Sequence, residues 1–155
     1  MSGVVGAILL LLSALMIGTS MQRAEFARID LLRGTVLLLS HARRQIALFG
    51  TPVDRIFFDF ADGFDPSILQ MLSELPVEQS LPILADRLKP YGSFLLKFAD
   101  EIGSGYREDA LHLCDYCIDT AKAELVTAEE AYSRRKKLYI TLPLLFAVSL
   151  IVLFI

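Results

Sequence analysis

Charge is missing from both ends of the chain. No Asp, Glu, Lys or Arg falls in residues 1–21 and none in 138–155, so all 15 basic and 18 acidic residues lie in 22–137. Tryptophan is absent, and cysteine is limited to Cys114 and Cys117. A metal or redox centre built on Cys114-Asp115-Tyr116-Cys117 with His112 therefore has no second cysteine pair to complete it, and the other histidine, His41, is far away in sequence. No Walker-type loop, HExxH or GxSxG occurs. A net charge of -3 offers little electrostatic footprint for nucleic acid. The run of alternating apolar and polar residues that marks a strand is missing too. These absences leave no catalytic constellation; no enzyme activity, cofactor, metal, nucleic acid or small-molecule substrate is expected.

What the ends do contain is apolar. Gly3–Met21 reads GVVGAILLLLSALMIGTSM and Leu138–Ile155 reads LYITLPLLFAVSLIVLFI. Each is close to the ~20 residues that cross a bilayer core. Leu, Ile, Val and Phe each favour insertion by roughly 0.3–0.6 kcal/mol near the helix centre, and no charge opposes them. Pro143 falls in the first turns of the second stretch, where a spanning helix tolerates it. The first stretch has no basic leader and no clear A-x-A site, which argues against a cleaved signal peptide. The expected organisation is a transmembrane helix over 1–21, a helical domain over 22–137 and a second transmembrane helix over 138–155.

The flanks orient these spans. Arg23, Arg28 and Arg33 follow the first, Arg134, Arg135, Lys136 and Lys137 precede the second, and no basic residue lies beyond either. The positive-inside rule then puts 22–137 in the cytoplasm and both termini outside. The Arg134–Lys137 run is a topology signal, aided by anionic membrane lipid. Within the first span Gly3, Ala7, Ala14 and Gly18 share a helix face. Such a face fits close helix packing with the second span or with another membrane subunit, and it also fits chance in an Ala/Gly-rich segment.

The middle reads as all-α, an irregular antiparallel bundle of about six helices. Ile29, Leu32, Val36, Leu39, Ala42, Ile46 and Phe49 recur at helical spacing, and Gly50 ends that helix. Thr51 as N-cap with Pro52 at the first helical position starts the next, which carries Val53, Ile56, Phe57 and Phe60 before Gly63. Asp65-Pro66 repeats the signal ahead of Ile68, Leu69, Leu72 and Leu75. Pro76 and Pro82 are expected to break the following stretch, leaving a short helix through Ile83, Leu84 and Leu88. Phe94, Leu95, Phe98 and Ile102 mark a fifth. The sixth starts near Tyr106 and presents a coiled-coil-like seam of Cys114, Ile118, Ala121, Leu125, Ala128 and Tyr132.

Two further features invite function. Gly103-Ser104-Gly105 resembles a phosphate loop, but it lacks a third glycine, a preceding strand and a following lysine. A turn reading fits better, with Gly103 as the left-handed helix stop and Gly105 freeing the chain to reverse. The acids Asp54, Asp59, Asp62, Asp100 and Glu101 have no matching base for catalysis. They offer an acidic face to a basic partner, or form an ordinary solvated surface. Cys114 and Cys117 lie on or beside the seam and read as small buried hydrophobes.

The layout as a whole resembles the stage III sporulation protein AB family, from the channel complex between mother cell and forespore in endospore-forming bacteria. The resemblance rests on GAILLLLSALMIG (6–18), LFGTPVDRIFFDFA (48–61), DEIGSG (100–105) and AELVTAEEAYSRRKKL (123–138), in that order. That family's cytoplasmic domain is similar to those of the type II secretion platform protein F, whose Gly-Glu-x-x-Gly motif aligns with Asp100 and Gly103. The family's frequent tryptophan is missing here. The resemblance implies a non-enzymatic scaffold of a secretion-like complex on the mother cell side, partnered by other membrane subunits and docking a cytoplasmic secretion-type ATPase. A platform-type subunit of a pilus or type II-like secretion system fits the same layout. A membrane redox or metal protein using His112, Cys114 and Cys117 is the third alternative.

Overall fold

The computed structural model describes residues 2–60, 63–103 and 105–154; of residues 2–5, 7, 151, 153 and 154 it describes the backbone alone. Six helices follow one another: α1 (Ser2–Phe49), α2 (Val53–Asp59), α3 (Pro66–Glu74), α4 (Val77–Arg87), α5 (Phe94–Glu101) and α6 (Arg107–Phe154). No strand occurs among the described residues. The chain divides into two compact units. One holds residues 28–127, and the other holds 1–27 with 128–155. Helices α1 and α6 contribute to both.

In the 28–127 unit, α1 buries Ile29, Leu32, Leu38, Leu39, Ala42 and Ile46. Thr35 is also buried, and its hydroxyl donates to the Leu31 carbonyl at 2.9 Å, so the polar group is satisfied. The apolar stripe stops one position earlier than its spacing predicts. Phe49 is 72% exposed, because Gly50 turns the chain with φ +60° and takes the Ile46 carbonyl at 3.2 Å. The helix thus ends at the rim of the core.

Proline sets the next starts. Pro52 is the N-cap of α2 rather than its first residue, so Thr51 lies outside the helix and caps nothing. The Pro52 carbonyl accepts from Arg55 (3.1 Å) and Ile56 (3.3 Å), which an extended ψ at Pro52 permits. Asp65 and Pro66 stand at the N-cap and first position of α3 as the spacing predicts, though the Asp65 side chain makes no cap bond.

Pro82 does not break α4; it lies inside it. An internal proline costs about 3 kcal/mol through the lost bond and ring clash. Complete burial of Leu81, Leu84 and Leu88 offsets this, at roughly 1.5–3 kcal/mol for each side chain. Tertiary burial outweighs local propensity here.

Helix α5 buries Phe94, Leu95, Phe98 and Ala99 and packs mainly on α4. The Phe98 ring lies 6.4 Å from that of Phe57 on α2. Helix α6 opens with the Tyr106 N–H donating to the Asp109 carboxylate at 3.1 Å. Glu108 and Asp109 in its first turn suit the positive end of the helix dipole. Cys114, Ile118 and Ala121 of the predicted seam are buried, as are Leu113 and Cys117.

The other unit contains a close approach of α1 to α6. A Cβ added at Gly18 would strike the Tyr139 carbonyl oxygen. Ala14, Gly18 and Ala147 are buried, while Leu9, Leu12, Met16, Leu142, Leu145 and Phe146 are exposed. Gln22 Nε2 donates to the Tyr132 hydroxyl at 3.1 Å, and Phe26 stacks obliquely on Tyr132. Gly3 and Ala7, which share the predicted small-residue face, are described at the backbone alone, so their packing lies outside what is described. Among the described residues no helix is long and apolar enough to cross a membrane. Both predicted spans extend past the described side chains, which run without a gap over 8–21 in the first and 138–150 in the second.

Candidate functional site

The 28–127 unit carries a cleft of about 720 Å³ where the end of α1, the starts of α2 and α4, the end of α5 and the start of α6 converge. Its carboxylates come from Asp54, Glu78 and Asp100, and its apolar wall from Val53, Val77 and Ile102. A second hollow of about 450 Å³ adjoins it, sharing Glu78, Ala99 and Asp100 and adding Pro82 and Leu96. Tyr106 stands on the main cleft and is 86% exposed.

The glycine and proline turns form the rim. Gly50, Pro52, Gly103 and Gly105 all line the cleft. Gly103 has φ +93° directly after the α5 C-cap Ile102, whose N–H bonds the Phe98 carbonyl at 2.9 Å. Beyond its chain neighbours, no atom of the described residues lies within 4 Å of where its Cβ would be. Backbone conformation, not crowding, therefore demands glycine there.

The predicted acidic face is divided. Asp54 and Asp100 both line the cleft. Asp59 lies near Arg55 at 3.7 Å on exposed α2 surface. Glu101 is exposed and does not line the cleft. Asp62 lies outside the described residues. Glu78, absent from the predicted set, joins the cleft because α4 starts at Val77, directly after Pro76. The signal for it was a proline at the N-cap, as at Pro52 ahead of α2.

Sequence reasoning also missed Arg107. Its Nε donates to the Ile46 carbonyl at 3.0 Å and its Nη2 to the Ala47 carbonyl. A cation thus caps the end of α1, where the dipole is negative, adding a second donor to the Ile46 carbonyl that already takes the Gly50 N–H and binding that of Ala47. Replacing it in Arg107→Met should cost about 1–2 kcal/mol, given the charge-assisted bonds and their partial exposure. Denaturant-dependent labelling of Cys114 and Cys117, both fully buried in this unit, reads the loss. Labelling curves that coincide with wild type would remove the capping role.

The Cys-Asp-Tyr-Cys segment is otherwise occupied. Arg43 grips Asp115 with two hydrogen bonds, from Nε to Oδ1 and from Nη2 to Oδ2 at 3.1 Å. That contact holds the Asp115 carboxyl below the usual carboxylate range. Burial pushes the Cys114 thiol up to about 12, helped by the nearby Cys117, and burial pushes Cys117 up to about 11. Cys117 Sγ donates to the Phe94 carbonyl at 3.8 Å. A protonated, enclosed thiol is a poor nucleophile and metal ligand. Among the described residues no group of three His, Cys, Asp or Glu could hold a metal ion. Arg134, Arg135, Lys136 and Lys137 are all exposed, with Arg134 3.7 Å from Glu130.

Compared with protein-family models, with curated proteins and with solved structures, the chain matches none.

Proposed function

We propose that the chain is a non-enzymatic, membrane-anchored scaffold subunit whose region 22–137 receives a partner protein at the acidic cleft. The observation that carries this reading is the cleft itself, an open hollow with three carboxylates and an apolar wall in a small helical unit. Membrane anchoring rests on the uncharged stretches 1–21 and 138–155, and orientation on the Arg134–Lys137 run. The resemblance supplies the setting. The chain serves the channel complex between mother cell and forespore, contacts its other membrane subunits, and docks the complex's cytoplasmic ATPase. The redox alternative is opposed by the burial of both thiols.

Two experiments test this. The full chain should stay in the membrane fraction after alkaline carbonate washing, and protease should reach 22–137 only from the cytoplasmic face. Release by carbonate would overturn the anchored topology. Deletion of the gene should block sporulation at engulfment, with cross-links from positions 100–109 reaching a complex subunit. Normal spore formation would overturn the channel assignment and leave a pilus-type or type II-like platform as the setting to test by gene neighbourhood.

A further inference from the structure

We infer that the cleft binds a basic, amphipathic segment of the partner protein, its cations on Asp54, Glu78 and Asp100 and its apolar face against Tyr106 and Leu96. The inference rests on the partner-binding reading and adds the chemistry of the occupant.

Charge decides the sign of that occupant. None of the three carboxylates has a hydrogen-bond or ion-pair partner among the described residues, whereas Asp59, Asp86 and Asp115 elsewhere on the unit each stand beside a cation. The cation on the lining is Arg107, and its guanidinium is committed to the Ile46 and Ala47 carbonyls. Lys97 points elsewhere, with its Nζ 4.5 Å from the Tyr116 ring. An anionic guest would meet three like charges and no available cation, while a cationic guest meets only complementary ones.

Shape decides the length. The main cleft and the neighbouring hollow share Glu78 and Asp100, so these two carboxylates stand where one concavity gives way to the next. A guest longer than a single side chain is needed to occupy both. Tyr106, 86% exposed, and Leu96, 47% exposed, give it apolar surface on either side of the shared acids. Tyr is a rigid anchor of the sort enriched at such interfaces. A helix or extended segment alternating Lys or Arg with Leu fits both demands.

The test uses the full chain in detergent micelles and a fluorescent Lys/Leu amphipathic peptide, with a Glu/Leu peptide as its counterpart. The wild-type chain should bind the basic peptide and not the acidic one, with affinity falling as salt is added. Exposed carboxylates each contribute a few-fold, so the combined Asp54→Asn, Glu78→Gln, Asp100→Asn variant should bind roughly tenfold more weakly. Tyr106→Ala should weaken binding at high salt as well as at low salt. The surface pair Glu74→Gln, Asp86→Asn should leave binding unchanged. Equal binding by the triple variant, equal loss in the surface pair, or no binding of the basic peptide would overturn the inference. Self-association that vanishes in the triple variant while peptide binding persists would also overturn it, assigning the cleft to a second copy. Failure here leaves carbonate resistance and the deletion phenotype untouched, so the scaffold reading would stand without this occupant.

Discussion

Phe98→Ala should markedly ease opening of the 28–127 unit. Phe98 is fully buried on α5, and its ring faces that of Phe57, which is 1% exposed on α2. The same helix carries Phe94 and Leu95 into the core and lays Asp100 on the cleft. Removing a buried phenyl ring costs about 3–5 kcal/mol, from lost transfer energy and from the cavity left behind. A domain of this size has about 5–15 kcal/mol to lose. Labelling of Cys114 and Cys117 by a thiol reagent should therefore accelerate about a hundredfold or more in native buffer. Both thiols are fully buried, and Cys117 hydrogen-bonds the Phe94 carbonyl of the affected helix. Phe58→Ala supplies the comparison: Phe58 is 62% exposed, and its loss should change labelling by a factor corresponding to no more than ~0.5 kcal/mol. If the two variants label alike, α5 is not held by this core.

The helices were largely legible in the sequence because proline and glycine punctuate them. Asp65-Pro66 and Gly50 act where their chemistry says they should. Pro82 misled because its local cost is visible in the sequence, whereas the burial of Leu81, Leu84 and Leu88 that overrides it depends on the other helices. The cleft was half legible. Asp54 and Asp100 are conspicuous as acids beside helix starts and stops. That they share one hollow with Glu78 follows only from the meeting of three stretches distant in the chain, 46–54, 77–78 and 99–110. Arg107 was invisible for another reason. Its partners are the carbonyls of Ile46 and Ala47, and a backbone acceptor leaves no mark in a sequence. Gly34 was hidden likewise. It reads as one small residue in a helix, yet a Cβ there would strike the Gly63 carbonyl oxygen and come within 2.8 Å of the Phe64 ring.

Gly92→Ala should destabilise the unit by about 2–4 kcal/mol, and comparison with Gly103→Ala separates the two causes. Both glycines hold left-handed backbone, with φ +91° and +93°. That conformation costs an L-residue roughly 1–2 kcal/mol. Beyond its chain neighbours Gly103 has no described atom within 4 Å of the place an alanine methyl would take, so Gly103→Ala carries that backbone cost without a packing cost. Gly92 is buried, and its Cβ would sit 2.8 Å from Leu88 Cβ and 3.1 Å from Leu88 Cδ1. Leu88 is itself fully buried at the end of α4 and cannot swing aside, so overpacking adds about 1–3 kcal/mol. The lower chain entropy of alanine in the unfolded state restores about 0.4–1 kcal/mol in both variants. The shift would also disturb the Gly92 N–H bond to Glu124 Oε2, 2.8 Å long, which ties this turn to α6. Paired denaturation curves read by thiol labelling should place Gly92→Ala below Gly103→Ala by roughly the overpacking cost. In a double-mutant cycle Gly92→Ala should cost less in a Leu88→Ala background than in wild type, because the Cδ1 contact is gone while the Cβ contact and the backbone strain remain, although Leu88→Ala is itself destabilising. Equal losses at the two glycines would mean that backbone conformation alone sets the cost, and that the turn between α4 and α5 has room the structure does not allow it.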